Sequence, residues 1–151
     1  MPIQGGCLCG GVRFEIDGRL TPIQLCHAAR CQKSTGSAFA PELAVRRSGF
    51  RWLKGEELLE CYEAPLLREP PAFRRVFCRV CGSPLPVVRE QSDFVVLLAG
   101  ALDGDPGVRP FRHIFTGQGA RWHDLRDELP RFEERPPAEE RLALLRKPET
   151  R

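Results

Sequence analysis

The sequence predicts a mainly β domain of short strands with one short helix near its C-terminal end. Three observations point there. Glycine and proline each occur 14 times in 151 residues and are spread along the whole chain, which favours short elements separated by turns. Apolar residues repeatedly alternate with polar ones, the period of a half-buried strand. Six of the seven cysteines fall in three close pairs, an arrangement that can tie distant turns together.

The elements follow in order. Val12, Phe14 and Ile16 alternate with Arg13, Glu15 and Asp17, a strand ended by Gly18. Pro22 to Cys26 forms a second strand, and the polar stretch Arg30 to Ser37 reads as a loop. Ala38 to Val45 and Phe50 to Leu53 read as strands broken at Ser48–Gly49. Leu58 to Glu63 is another, ended by Pro65, Pro70 and Pro71. Phe73 to Cys78 leads into the turn Arg79-Val80, and Leu85 to Val88 leaves it. Phe94 to Ala99, the most apolar run, is expected at the centre of a sheet. The loop Gly100 to Gly107 precedes a short strand at His113 to Phe115. The helix is expected at Ala138 to Lys147. Leu142, Leu144 and Leu145 give it an apolar side, Glu139 and Glu140 come early, and Arg146 and Lys147 come late, as the helix dipole prefers. Pro136–Pro137 set it apart, so the chain divides into a domain over 1–135 and a tail over 136–151.

Hydrophobic residues make up 42% of the chain, enough for a real core. The net charge is only +3 and both signs are interspersed, so no basic stripe marks a nucleic-acid binder. No apolar run reaches the roughly 18–20 residues that span a membrane. The first residues lack the basic start and apolar stretch of a secretory signal, so a cytoplasmic protein is expected. Cysteines there stay mostly reduced and need a role other than disulfides.

The pairs are Cys7-Leu8-Cys9, Cys26 with Cys31, and Cys78-Arg79-Val80-Cys81 followed by Gly82. A C-x2-C-G turn suits zinc. Two thiolates three positions apart hold one ion, backbone N–H groups face the sulfurs, and the glycine can take the positive φ that lets the chain leave. A structural site needs four ligands. The glycine-flanked Cys7 and Cys9 are the best partners for Cys78 and Cys81, so zinc would join the start of the chain to a turn some seventy positions later. Buried free thiols or a redox C-x-x-C are the alternatives, but a redox pair normally precedes a helix and this one sits between strands. Cys61 stands alone and is expected to be a buried thiol remote from metal.

The three pairs, in this order, resemble the glutathione-dependent formaldehyde-activating enzymes, a family that shares its domain with centromere protein V. Gly5-Gly6-Cys7-Leu8-Cys9-Gly10-Gly11-Val12 matches G-x-C-x-C-G-x-V. Cys26-His27-Ala28-Ala29-Arg30-Cys31-Gln32-Lys33-Ser34-Thr35-Gly36 follows C-H-C-x-x-C-x-K-x-[ST]-G except at Ala28. Phe77-Cys78-Arg79-Val80-Cys81-Gly82-Ser83 matches F-C-x-x-C-G-[ST]. Gly100 to Asp103, His113 to Phe115, Trp122 and Leu129 to Phe132 also look like family positions, so the resemblance covers roughly residues 3–135. It implies a β-tent of short antiparallel strands closed by a structural zinc on Cys7, Cys9, Cys78 and Cys81. It also implies a second, catalytic zinc, for which only Cys26 and Cys31 carry over.

Ala28 stands where the family has the middle ligand of that second site. Two thiolates remain, so zinc is expected to bind there weakly or not at all. His27 is adjacent to Cys26 and would point to the opposite face of an extended chain, so a structural role is expected. His113 and His123 are expected to be packing or surface residues. Arg30, Gln32, Lys33, Ser34 and Thr35 could form a polar pocket for an acidic thiol such as glutathione, or a solvated loop. The resemblance implies a carbon–sulfur lyase acting on a glutathione adduct. The alternatives are a non-catalytic, zinc-stabilised binding module and, more remotely, a methionine sulfoxide reductase relative. Oligomeric state and protein partners are not legible in the sequence.

Overall fold

A computed structural model describes residues 1–67, 72–136 and 140–146. Ten short strands dominate it and form three sheets. The first contains β1 (Ile3–Gly6), β2 (Arg13–Ile16) and β5 (Phe50–Lys54), in the order β1-β2-β5. Phe14 and Ile16 of β2 point into the core with Val12, as the alternation requires. The sequence reading missed β1 because Gly5 and Gly6 suggest a turn. They are there for space: a Cβ on Gly5 would lie 2.3 Å from the Ala101 carbonyl oxygen and 2.5 Å from the Phe14 ring.

The second sheet has the order β10-β3-β4-β9, from β3 (Ile23–Cys26), β4 (Ala40–Arg46), β9 (Phe94–Leu98) and β10 (Pro110–Ile114). β3 and β10 run parallel, so the expectation of purely antiparallel strands is corrected. Everything from α1 to β9 lies between them, a connection long enough for parallel pairing. β9 is also not central. It closes one edge of this sheet, with a single bridge from Val96 to Val87 beyond it. Its apolar run is explained by cover on both faces: Val95 and Leu97 enter the main core, while Phe94 and Val96 meet Leu142 and Leu145 from the tail.

The third sheet has the order β6-β7-β8, from β6 (Leu59–Glu63), β7 (Arg74–Cys78) and β8 (Pro84–Leu85). β6 is an edge strand exposed from Glu60 onward, and Cys61 is exposed rather than buried. Leu59 shares a face with Cys61, but only Leu59 is half-buried and the strand runs into solvent from Glu60 onward.

The predicted loop from Arg30 to Ser37 is instead a helix, α1 (Ala29–Thr35), ended by Gly36 in the left-handed conformation at φ 70°. Polar residues hid its one buried face, which is Cys31 alone. The tail carries a one-turn helix, α2 (Glu140–Ala143), and Leu145 is buried against Ala44 and Phe94. The helix expected at 138–147 is shorter than its pattern suggests: residues 144–146 continue as a turn, with the Leu144 N–H on the Arg141 carbonyl and the Arg146 N–H on the Ala143 carbonyl, while residues 138, 139 and 147, and Pro70 and Pro71, lie outside the described residues. Among the described residues, no helix is long and apolar enough to cross a membrane.

Candidate metal centre and arginine-lined cavity

The folded chain gathers the cysteines into two clusters. Cys7, Cys9, Cys78 and Cys81 bring their sulfurs within 4.8 Å of one another. Two turns of similar design present them. The Cys7 carbonyl accepts the Gly10 N–H at 3.0 Å, and the Cys78 carbonyl accepts the Gly82 N–H at 2.8 Å. Gly10 at φ 76° and Gly82 at φ 75° let each turn leave, as read from the C-x2-C-G pattern. The Val12 N–H donates to the Cys7 sulfur at 3.3 Å. Ser83 ties the turns together: its hydroxyl accepts the Leu8 N–H at 3.0 Å and lies 3.2 Å from the Cys81 sulfur. The Ser83 hydroxyl, followed by its backbone N–H, lowers the Cys81 thiol to about 5.

The donor set fits a metal. Four sulfurs around one zinc at about 2.3 Å stand about 3.8 Å apart. Cys7 and Cys9 are 3.5 Å apart, and Cys9 and Cys78 are 3.9 Å apart.

The second cluster joins Cys26 and Cys31 with Glu42. Cys26 ends β3 and Cys31 lies in α1; both thiols are buried, with sulfurs 3.0 Å apart. The adjacent Cys26 sulfur, and after it burial, hold the Cys31 thiol far above the ordinary range. Ala28 is buried in the same apolar cluster, immediately before α1. Glu42 was missed in the sequence. Its signal was there: a lone carboxylate in the otherwise apolar stretch Ala38 to Val45.

His27 turns away from the thiols, as expected. Its Nε2 and the Nδ1 of His113 share a hydrogen bond of 2.8 Å, and the His113 Nε2 lies 3.0 Å from both carboxylate oxygens of Asp127. Burial, then the neighbouring His113, lowers the His27 imidazole to about 4. This chain, buried at its two histidines and exposed at Asp127, ties β10 to the segment after it, and His123 packs at the surface near Phe39.

A cavity of about 900 Å³ opens beside the second cluster. Cys26, Cys31 and Glu42 line it together with Arg30, Arg74, Arg75, Arg89 and Arg112. Of the five residues proposed for a polar pocket, only Arg30 lines it. Gln32 is occupied with the carbonyls of His27 and Gln118, Ser34 and Thr35 bond back to Cys31, and Lys33 is exposed. Arg30 stacks over Phe73 at 4.9 Å. Arg75 donates to the Ser34 hydroxyl at 2.5 Å, while its buried Nε has no partner among the described residues.

No curated protein matches the chain. A crystal structure of a protein from Rhodobacter sphaeroides is similar in fold, with a TM-score of 0.51 and 23% identity; the match covers 71% of this chain and 98% of that one. The sequence profile described as glutathione-dependent formaldehyde-activating enzyme matches residues 2–118, taking in all seven cysteines and both clusters. By that match the chain belongs to the glutathione-dependent formaldehyde-activating enzyme family.

Proposed function

We propose that this protein makes or breaks the carbon–sulfur bond between a small aldehyde and an anionic thiol such as glutathione. Its fold is closed by a structural zinc on Cys7, Cys9, Cys78 and Cys81. One observation carries the catalytic reading: two buried, adjacent thiols stand on the wall of a cavity whose other walls are rich in arginine. Glutathione carries two carboxylates, and guanidinium–carboxylate pairs are strong and orienting. The buried Nε of Arg75 would gain the acceptor it lacks from such a group. The reduced thiols fit a cytoplasmic setting.

In the forward direction the thiol sulfur bonds to the carbonyl carbon. The C=O π pair moves to the oxygen, which takes up the proton the thiol gives up, and a hydroxymethyl thioether results. Zinc held by Cys26 and Cys31 would keep the incoming sulfur ionised and polarise the carbonyl. The chain's own groups position the reactants. Arg30, fixed over Phe73, and Arg75, fixed on Ser34, hold carboxylates. Phe73 and Phe115 line the cavity and pack against the cluster that holds the two thiols.

Formation of the thioether from formaldehyde and glutathione, followed by proton NMR, tests the reading. The zinc-loaded protein should exceed the uncatalysed rate, and Arg30→Ala should raise KM about tenfold with kcat little changed, the effect of losing one uniform binding contact. No acceleration by the loaded protein refutes it. The second reading is a zinc-stabilised binding module, favoured by the buried Ala28 at a family ligand position. It predicts calorimetric binding of glutathione without turnover.

A further inference from the structure

We propose that Glu42 takes the place of the cysteine this chain lacks at position 28, so that Cys26, Cys31 and Glu42 form a second, three-ligand zinc site with an open fourth position. This deepens the reading above and rests on it only for the use of the site, not for the binding of metal.

The placement follows from strand register. Gln24 pairs with Glu42 and Cys26 with Ala40 across β3 and β4. Residues two apart on a strand share a face, so Cys26 and Glu42 lie on the same side of the sheet as diagonal neighbours. Cys31 reaches that side from α1. The three ligand atoms lie within 4.8 Å of one another, with 3.8 Å from the Cys31 sulfur to Glu42 Oε1. A thiolate and a carboxylate on one zinc stand about 3.5 Å apart, given bonds of about 2.3 and 2.0 Å. The sulfurs of Cys26 and Cys31, at 3.0 Å, need to part by less than about 1 Å to reach the spacing of two thiolates on one zinc.

The carboxylate is also oriented. Gln24 Nε2 donates to Glu42 Oε2 at 3.2 Å, which leaves Oε1 turned to Cys31. The Arg112 Nε in turn donates to Gln24 Oε1 at 2.8 Å, and both side chains are buried. Metal-binding carboxylates are commonly held by an outer layer of this kind. As thiolates the two cysteines and the facing carboxylate would be costly without a cation among them, so a bound metal would compensate the three donors together. Two thiolates and one carboxylate also suit zinc, and three protein ligands leave the position a catalytic zinc keeps open.

The full-length protein, purified from zinc-supplemented medium, is analysed for metal per chain beside two variants. The wild type should hold two zinc ions. Glu42→Gln should hold one and remain folded by circular dichroism. Glu42→Gln combined with Ala28→Cys should return to two. Titration of the metal-free wild type with Co²⁺ needs no variant: the second equivalent should add about half the sulfur charge-transfer absorbance of the first, two thiolates against four. Gln24→Leu, which removes only the positioning contact, should weaken the second Co²⁺ about 10–100-fold and leave the first unchanged. One zinc in the wild type, two in Glu42→Gln, or no second cobalt transition overturns the proposal. Absence of formaldehyde turnover with these counts intact refutes the catalytic reading alone.

Discussion

Cys78→Ser removes one of the four sulfurs gathered between the N-terminal turn and the turn after β7. Cys9 and Cys78 are 69 positions apart, so a metal between them closes a loop of about 70 residues. The chain-entropy relation for a cross-link of that span gives about 4 kcal/mol at 25 °C. A domain commonly has about 5–15 kcal/mol in all, so a metal at this joint would carry a large share. For a chain of this length each kcal/mol moves the melting temperature by roughly 2–4 °C. The variant should therefore melt about 10–15 °C below the zinc-loaded wild type, by the same relations. The assay is thermal unfolding followed by tryptophan fluorescence; of the two tryptophans, Trp122 is exposed and Trp52, which sits edge-on against Phe14 and Phe50 in the first sheet, reports on the packing. Metal-stripped wild type and Cys78→Ser should then converge on one low melting temperature. If the stripped wild type melts where the loaded protein does, the cluster does not bear the fold and the reasoning fails.

Gly5→Ala forces a Cβ against the Ala101 carbonyl and the Phe14 ring, and should cost about 1–3 kcal/mol in urea unfolding; a neutral result would mean β1 is looser than described. Thr21 is fully buried and its hydroxyl accepts the Ala44 N–H at 2.8 Å, so Thr21→Val should cost about 1–3 kcal/mol by orphaning that donor, read from the shift of the same urea midpoint. Cys61→Ala lies on an exposed edge strand and should change stability by less than about 0.5 kcal/mol. In the zinc-loaded protein a maleimide should label Cys61 first, and loss of zinc from Cys61→Ala would contradict its place outside both clusters.

Most strands were legible because their apolar residues recur at period two between glycines and prolines, as in Val12 to Ile16, where the inward positions are the ones the pattern marks. The errors share one cause: local pattern reports how apolar a segment is, not what covers it. Phe94 to Ala99 reads as central because it is apolar throughout, yet it is an edge strand whose second face is covered by a tail about fifty positions later in the chain. Arg30 to Ser37 reads as a loop because a helix with one buried residue has no apolar stripe to detect. Cys61 reads as buried by residue type, but edge position overrides type.

The site divides in the same way. The first cluster was legible because its ligands sit in two local turns with their own signatures, and the glycines flanking Cys7 and Cys9 marked them as the partners of Cys78 and Cys81. The second cluster is assembled across strands. Glu42 meets Cys26 through the register of β3 with β4, and Cys31 through the helix that joins those strands, so no spacing in the sequence links the three. What the sequence did offer was a contradiction, a carboxylate in an apolar strand beside a missing ligand. A carboxylate in such a stretch costs free energy unless something compensates it. The fold puts it within ligand distance of the Cys26 and Cys31 thiols. On the proposal above, Ala28 and Glu42 belong to one physical account: a harder oxygen donor from the neighbouring strand would stand in for the thiolate that the family resemblance places in the loop before α1, with the charge of the site unchanged.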